Sequence, residues 1–359
     1  MDGRARLSGA PFVNETLVDA WPELPWRTWE PTITTIHLWT QVVGKVRMAL
    51  TPPLNHWWHV PLYVTSRGLT TSAIPDSRRT FQVDFDFVDH RLLVTTTDPS
   101  QFTIELEPMS VATFYRRFMA GLRNLGIDVR IWSRPVELTE AIPFEDDETH
   151  ASYDSGQVGL LWRALVQADR AMKAFQSGFV GKASPVHLFW GSFDLAAARF
   201  SGGPAPRHPG GVPNCATWVM EEAYSREESS IGWWPRSEPP GPSFYAYTYP
   251  EPPGYESASV QPADAFFDAR FGEFLLPYDA VRLSSDPDAT VRAFFESTYE
   301  AGADLGGWDR AALEPAATPG LRPDRPWSLA RPRKAVAEGG RSAAPDALRR
   351  VHRHGSRPG

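Results

Sequence analysis

Asn55-His56-Trp57-Trp58-His59-Val60 and Val186-His187-Leu188-Phe189-Trp190-Gly191 set histidine beside tryptophan where a helix-like segment gives way to a strand-like one. Each run follows an amphipathic segment with a glutamine in its middle, Gln41 and Gln167. This recurrence predicts an α+β protein of two similar halves, an internal duplication. Each half is a mainly antiparallel sheet backed by helices, and polar groups meet between the halves.

Working outward, residues 1–20 read as a flexible leader, and folding is expected from Trp21-Pro22 onward. A helix is expected from about Thr32 to Leu50, stopped by Pro52-Pro53. Ile36, Trp39, Val43 and Val46 form its apolar face, while His37, Gln41 and Lys45 fall on a separate polar stripe. Gly44 costs that helix about 1 kcal/mol relative to alanine, which argues that something approaches it closely. Period-two alternation then marks strands at Trp58–Thr65, Phe81–Phe87, Leu92–Thr95 and Phe102–Leu106. Ser110 is a good N-cap for a helix ended by Gly126, and Gly126–Trp132 reads as another strand. The first half is therefore 21–134, followed by an acidic, Pro-bounded linker at 135–153.

The second half, 154–317, repeats the order. A helix is expected over about Ser155–Phe179, with strands at Pro185–Phe193, Phe244–Tyr249 and Phe271–Tyr278. Asp286-Pro287 starts a last helix. A Pro/Gly-rich insertion near 201–243 reads as a long loop covering a cleft, with Trp233-Trp234-Pro235 as its cap. Residues 318–359 read as a disordered basic tail.

Charge and composition narrow the function. The chain has 36 Lys+Arg against 43 Asp+Glu, a net of −7. From Thr318 onward ten basic residues face three acidic ones, which leaves the body at −14. A body that acidic repels phosphate backbones, so nucleic acid is not its expected partner. No apolar run approaches the roughly 20 residues needed to span a bilayer. The single cysteine, Cys215, allows no intrachain disulfide. A cytoplasmic protein is the expectation.

Among motifs, the histidines come first. His37, His59 and His187 converge if the halves face one another, and Asp194 adds a carboxylate, yet none of the helix spacings of a metal site appears. No metal is expected. There is no Gly-x-Ser-x-Gly elbow and no phosphate-cradling glycine loop, although Ser192 lies near His187. Tyr245, Tyr247 and Tyr249 alternate along one strand and give it a tyrosine face. Cys215 has no histidine neighbour in sequence and reads as incidental.

Several segments resemble a bacterial family, the domain of unknown function 5996. They include His37–Lys45, Asn55–Tyr63, Asp84–His90, Thr149–Asp154, Ser184–His187, Phe189–Asp194 and Phe274–Tyr278. The resemblance runs from about Trp21 to Glu314. It implies no activity, substrate or cofactor, because the family has none assigned. The family pattern has a histidine after Tyr-Ser where this chain has Arg226, so no proton-transfer role is placed there.

The expected function is small-molecule binding, with or without catalysis, in an aromatic and histidine-lined cleft between the halves. His59, His187 and Asp194 are the candidates for proton handling. His37, Gln41, Lys45, Asn55, Trp57, Trp58, Gln167, Trp190 and Ser192 are the candidates for ligand contact. A non-catalytic interaction or scaffold protein is the alternative, and a metal-dependent hydrolase a weaker one. No motif implies a cofactor.

Overall fold

In the computed structural model, residues 20–314 are described apart from 78, 236 and 237. The leader, except for Ala20, and the basic tail lie outside the described residues. The chain begins with helix α1 (Glu30–Leu50). Strands β1 (Tyr63–Val64), β2 (Gly68–Thr70), β3 (Ile74–Asp76), β4 (Arg79–Asp86), β5 (Arg91–Thr96) and β6 (Gln101–Glu105) follow, then helix α2 (Val111–Asn124). The six strands form one antiparallel sheet in the order β1-β2-β4-β5-β6, with β3 also paired to β4. Along β4, Phe81, Val83 and Phe85 are buried and alternate with more exposed neighbours. That alternation puts one face of the sheet on a core shared with Trp39, Phe114 and Phe118 of the helices. Ser110 caps α2, its side chain accepting the Thr113 N–H.

Helix α3 (Ser155–Gln176) opens the second part, capped by Asp154. It is followed by β7 (His187–Phe189), β8 (Asp194–Pro204), α4 (Thr217–Ala223), β9 (Arg226–Trp234) and β10 (Ser243–Tyr249). Then come β11 (Phe266–Asp268), β12 (Glu273–Pro277), α5 (Tyr278–Arg282), α6 (Pro287–Leu305) and α7 (Arg310–Leu313). These six strands make a second antiparallel sheet, ordered β11-β12-β10-β9-β8-β7. Asp286 caps α6 as the sequence predicts, accepting from Ala289 N–H.

The second sheet has two different faces. Leu195, Ile231, Trp233 and Phe244 are buried, and Phe244 and Phe175 of α3 both meet Phe295 of α6. The other face carries small and polar side chains, and it builds the site described below. The two sheets join at one antiparallel bridge, where Leu62 and Leu188 exchange N–H···O bonds of 2.9 and 2.8 Å. The α+β class and the antiparallel sheets are as expected.

Four local expectations are corrected. Asn55–Trp57 is a short 3-10 turn rather than the mouth of a strand, with His56 and Trp57 at φ 54 and 58. Long-range bonds impose that turn: His56 N–H donates to Glu222 and Arg47 Nε to the His59 carbonyl, at 2.8 Å each. Residues 127–134 run without a strand partner. The 201–243 insertion is not one loop, because β9 fills much of it. Trp233 therefore does not cap a cleft; strand alternation turns it into the helix-side core, where it is fully buried.

Candidate functional site

A cavity of about 550 Å³ lies against the face of the second sheet turned away from α3 and α6. Register dictates its floor. Ala196 pairs with Gly232 and Gly232 with Tyr245; Ala198 pairs with Ser230 and Ser230 with Tyr247. His187 pairs with Ala196, and Phe200 with Glu228. Directly paired residues share a sheet face, so small residues in the middle leave room that histidine, acid and phenol groups surround. Gly232 is needed at its position because a Cβ there would overlap the Tyr245 ring. Tyr245 thus lies across β9, and its hydroxyl donates to the Asp194 carboxylate, which also accepts from Ser192 Oγ.

The cover comes from residues 213–224, including α4. It is pinned at several points. Pro213 O accepts from Glu137 N–H at 2.8 Å, and Asn214 Nδ2 donates to Leu138 O at 2.7 Å. Trp57 Nε1 donates to Val219 O at 3.0 Å. His56 Nδ1 lies 2.7 Å from Ala223 O and its Nε2 2.7 Å from Lys182 Nζ. A carbonyl can only accept and an ammonium can only donate, so the proton of neutral His56 sits on Nδ1. Trp132 and Trp218, 59% and 61% exposed, stand among the lining residues where the cavity opens.

Three carboxyl groups line the space. Burial raises Asp194 and pushes Glu228 up to about 8. Glu137 is exposed at the cavity, yet the protein packed around its carboxyl desolvates it and, with help from the Asp194 charge, lifts it to about 7. No described residue gives the Glu137 carboxyl a hydrogen bond or ion pair. Its backbone is left-handed at φ 62. His56, Trp57 and Asn214, all lining the cavity, share that unusual conformation, as does Phe193 between Ser192 and Asp194. Left-handed non-glycine residues cost of order 1 kcal/mol or more and gather at functional sites.

The sequence-selected residues divide into two groups. Lys45, Trp57, Trp58, His187, Trp190, Ser192 and Asp194 line the cavity. His37 and Gln41 hold it from behind. His37 Nε2 lies 3.0 and 2.9 Å from the carbonyls of Trp190 and Gly191, so it carries the proton, and the ring stacks on Phe193. Burial lowers His37 to about 4 and keeps it neutral. The Gln41 carboxamide pairs with Val136 like a strand partner, with bonds of 2.9 and 3.0 Å. Two residues of one helix therefore fix the strips that bring Asp194 and Glu137 into one space. Gly44, next along α1, is where the Trp190 indole packs; a Cβ would overlap it.

The remaining candidates stand elsewhere. His59 stacks on Trp57 and accepts the Leu54 N–H at 3.1 Å, outside the lining. Asn55 is exposed, and Gln167 accepts from Arg170 on α3. His37, His59 and His187 do not converge with Asp194. Among the described residues no group of three or more His, Cys, Asp or Glu is placed to hold a metal ion. Sequence reasoning passed over Glu137, Glu228 and Tyr224, and it set Cys215 aside, though all four line the cavity. The tyrosine face was visible: Tyr245 and Tyr247 are in the wall, and Tyr247 shares a 3.0 Å hydrogen bond with Tyr224.

With this geometry established, comparison adds one finding. A family model described as "Family of unknown function (DUF5996)" matches residues 21–315. The chain belongs to this family. The DUF5996 match takes in the floor strands, the cover and all three acids. No curated protein and no solved structure matches the chain. No helix among the described residues is long and apolar enough to cross a membrane.

Proposed function

We propose that this protein binds a small organic molecule in the cavity between the second sheet and the 213–224 cover, and that Glu137 and Asp194 manage a proton there. The observation carrying this is a cavity of ligand size whose aromatic walls surround an unpaired carboxyl raised to about 7. Pockets of roughly 300–1,000 Å³ with apolar walls and a few placed polar groups are the usual form of small-molecule sites. A carboxyl near neutrality both gives and takes a proton, so the pair suits acid–base chemistry on whatever binds. In this reading His37 and Gln41 are positioning residues, and His59 braces Trp57. We further propose that residues 21–134 and 154–317 are two copies of one helix–sheet–helix module. Support comes from the repeated element order and the single bridge between the sheets.

Native mass spectrometry of the purified full chain tests the binding reading, with Ala198→Phe as the comparison because it fills the floor at a position that is not itself an acid. The wild type should retain a small molecule that Ala198→Phe lacks. Matching spectra from two equally folded proteins would overturn it.

A further inference from the structure

We propose that the ligand is an organic cation, a protonated amine carried on an apolar, ring-sized body. This rests on the reading of the cavity as a ligand site and adds the ligand's charge.

The first support is the supply of acid. Asp194, Glu228 and Glu137 come from β8, β9 and the segment before the cover, and none has an Arg or Lys at ion-pair distance among the described residues. Asp194 and Glu228 are buried and Glu137 faces the same cavity, so a site that gathers three acids with no Arg or Lys in ion-pair contact favours a cation. An anionic ligand would meet that same group as repulsion. The second support is the wall. Trp57, Trp58, Trp132, Trp190 and Trp218 line the cavity, and indole faces attract cations. The chain's own ammonium groups already use these rings. Lys182 Nζ lies 5.1 Å from the Trp58 centroid and 4.7 Å from that of Phe200, and Lys45 Nζ lies 4.8 Å from that of Trp132.

Both lysines are occupied, however: Lys45 donates to Arg134 O at 2.7 Å, and Lys182 donates to His56. Neither forms an ion pair with the acids on the floor, although the Lys182 charge acts on Glu228 through space. The third support is an imidazole with an uncommitted ring nitrogen. His187 is buried, lines the cavity, and has no hydrogen-bond partner for Nδ1. A neutral polyol is disfavoured, because the hydroxyls it would engage are already bonded within the protein. Ser192 and Tyr245 serve Asp194, Tyr224 and Tyr247 serve each other, and Asn214 serves Leu138.

Three probes with one indole body and different heads separate the possibilities: tryptamine, tryptophol and indole-3-acetate. Calorimetric titration of the full chain should show tryptamine binding at least about tenfold more tightly than tryptophol, with indole-3-acetate weakest. Glu137→Gln should weaken tryptamine more than tryptophol and so shrink the amine-over-alcohol preference. Ala198→Phe, or the milder Ala196→Val if that variant melts early, should abolish all binding. If tryptophol or indole-3-acetate binds as well as tryptamine and the filled variants lose it, the cation is wrong and the cavity reading stands. If binding survives filling, or no probe binds, both fall.

Discussion

Glu137 titrates near 7 in the folded chain, against about 4.3 for an unperturbed glutamate. Between those values the unfolded chain has released a proton that the folded chain still holds. Stability contributed at this position therefore falls as pH rises through the window, and the loss is complete above the folded value. Glu137→Gln removes the titration. Thermal melts of the two proteins should coincide near pH 4, and the variant should melt higher at pH 8.5; a lower melt there would show a carboxylate ionised and paired. None of this was legible locally. Glu137 sits in an acidic, proline-flanked stretch that has the composition of a solvated linker, and its place is set by the grip of Gln41 on its neighbour Val136, 95 positions away along the chain. Glu228 in Arg226-Glu227-Glu228 resembles a charged turn until the register of β9 turns it inward. His187 and Asp194 were legible because strong aromatic neighbours announce a buried segment before any partner is known.

At the scale of elements, helices were easier to anticipate than short strands. The apolar stripe of α2 and the Asp286-Pro287 start of α6 are local signals, and both helices form where those signals lie. Trp58–Thr65 alternates like a strand, yet only Leu62, Tyr63 and Val64 pair, because the preceding turn is captured by the cover. That capture can be measured. Trp57→Phe deletes the indole N–H bond to Val219 O, worth about 1 kcal/mol, so opening of the cover becomes about fivefold easier. Hydrogen exchange should quicken by that factor over 217–224 and stay unchanged in β9 and β10. Equal acceleration in the strands would mean that Trp57 supports the sheet rather than the cover.

For the molecule as a whole, the two sheets meet through Leu62 and Leu188, and buried residues from both belong to one continuous core. Unfolding of either sheet would strip apolar surface from the other, so calorimetry should record a single transition across residues 20–314. Two resolved transitions would indicate separable halves. Fold class was visible in advance because hydrophobic period is set residue by residue. Which face of the second sheet α3 and α6 leave to the cavity was not, because that depends on how those helices dock. That open face has a further consequence. Its central positions, Ala196, Ala198, Ser230 and Gly232, carry almost no bulk, so under the proposed function they would act as a gauge for the guest. If the cavity binds a small molecule as proposed, a methyl or two gained at these sites would retune its choice by size while the proton-bearing groups, on neighbouring positions, kept their chemistry.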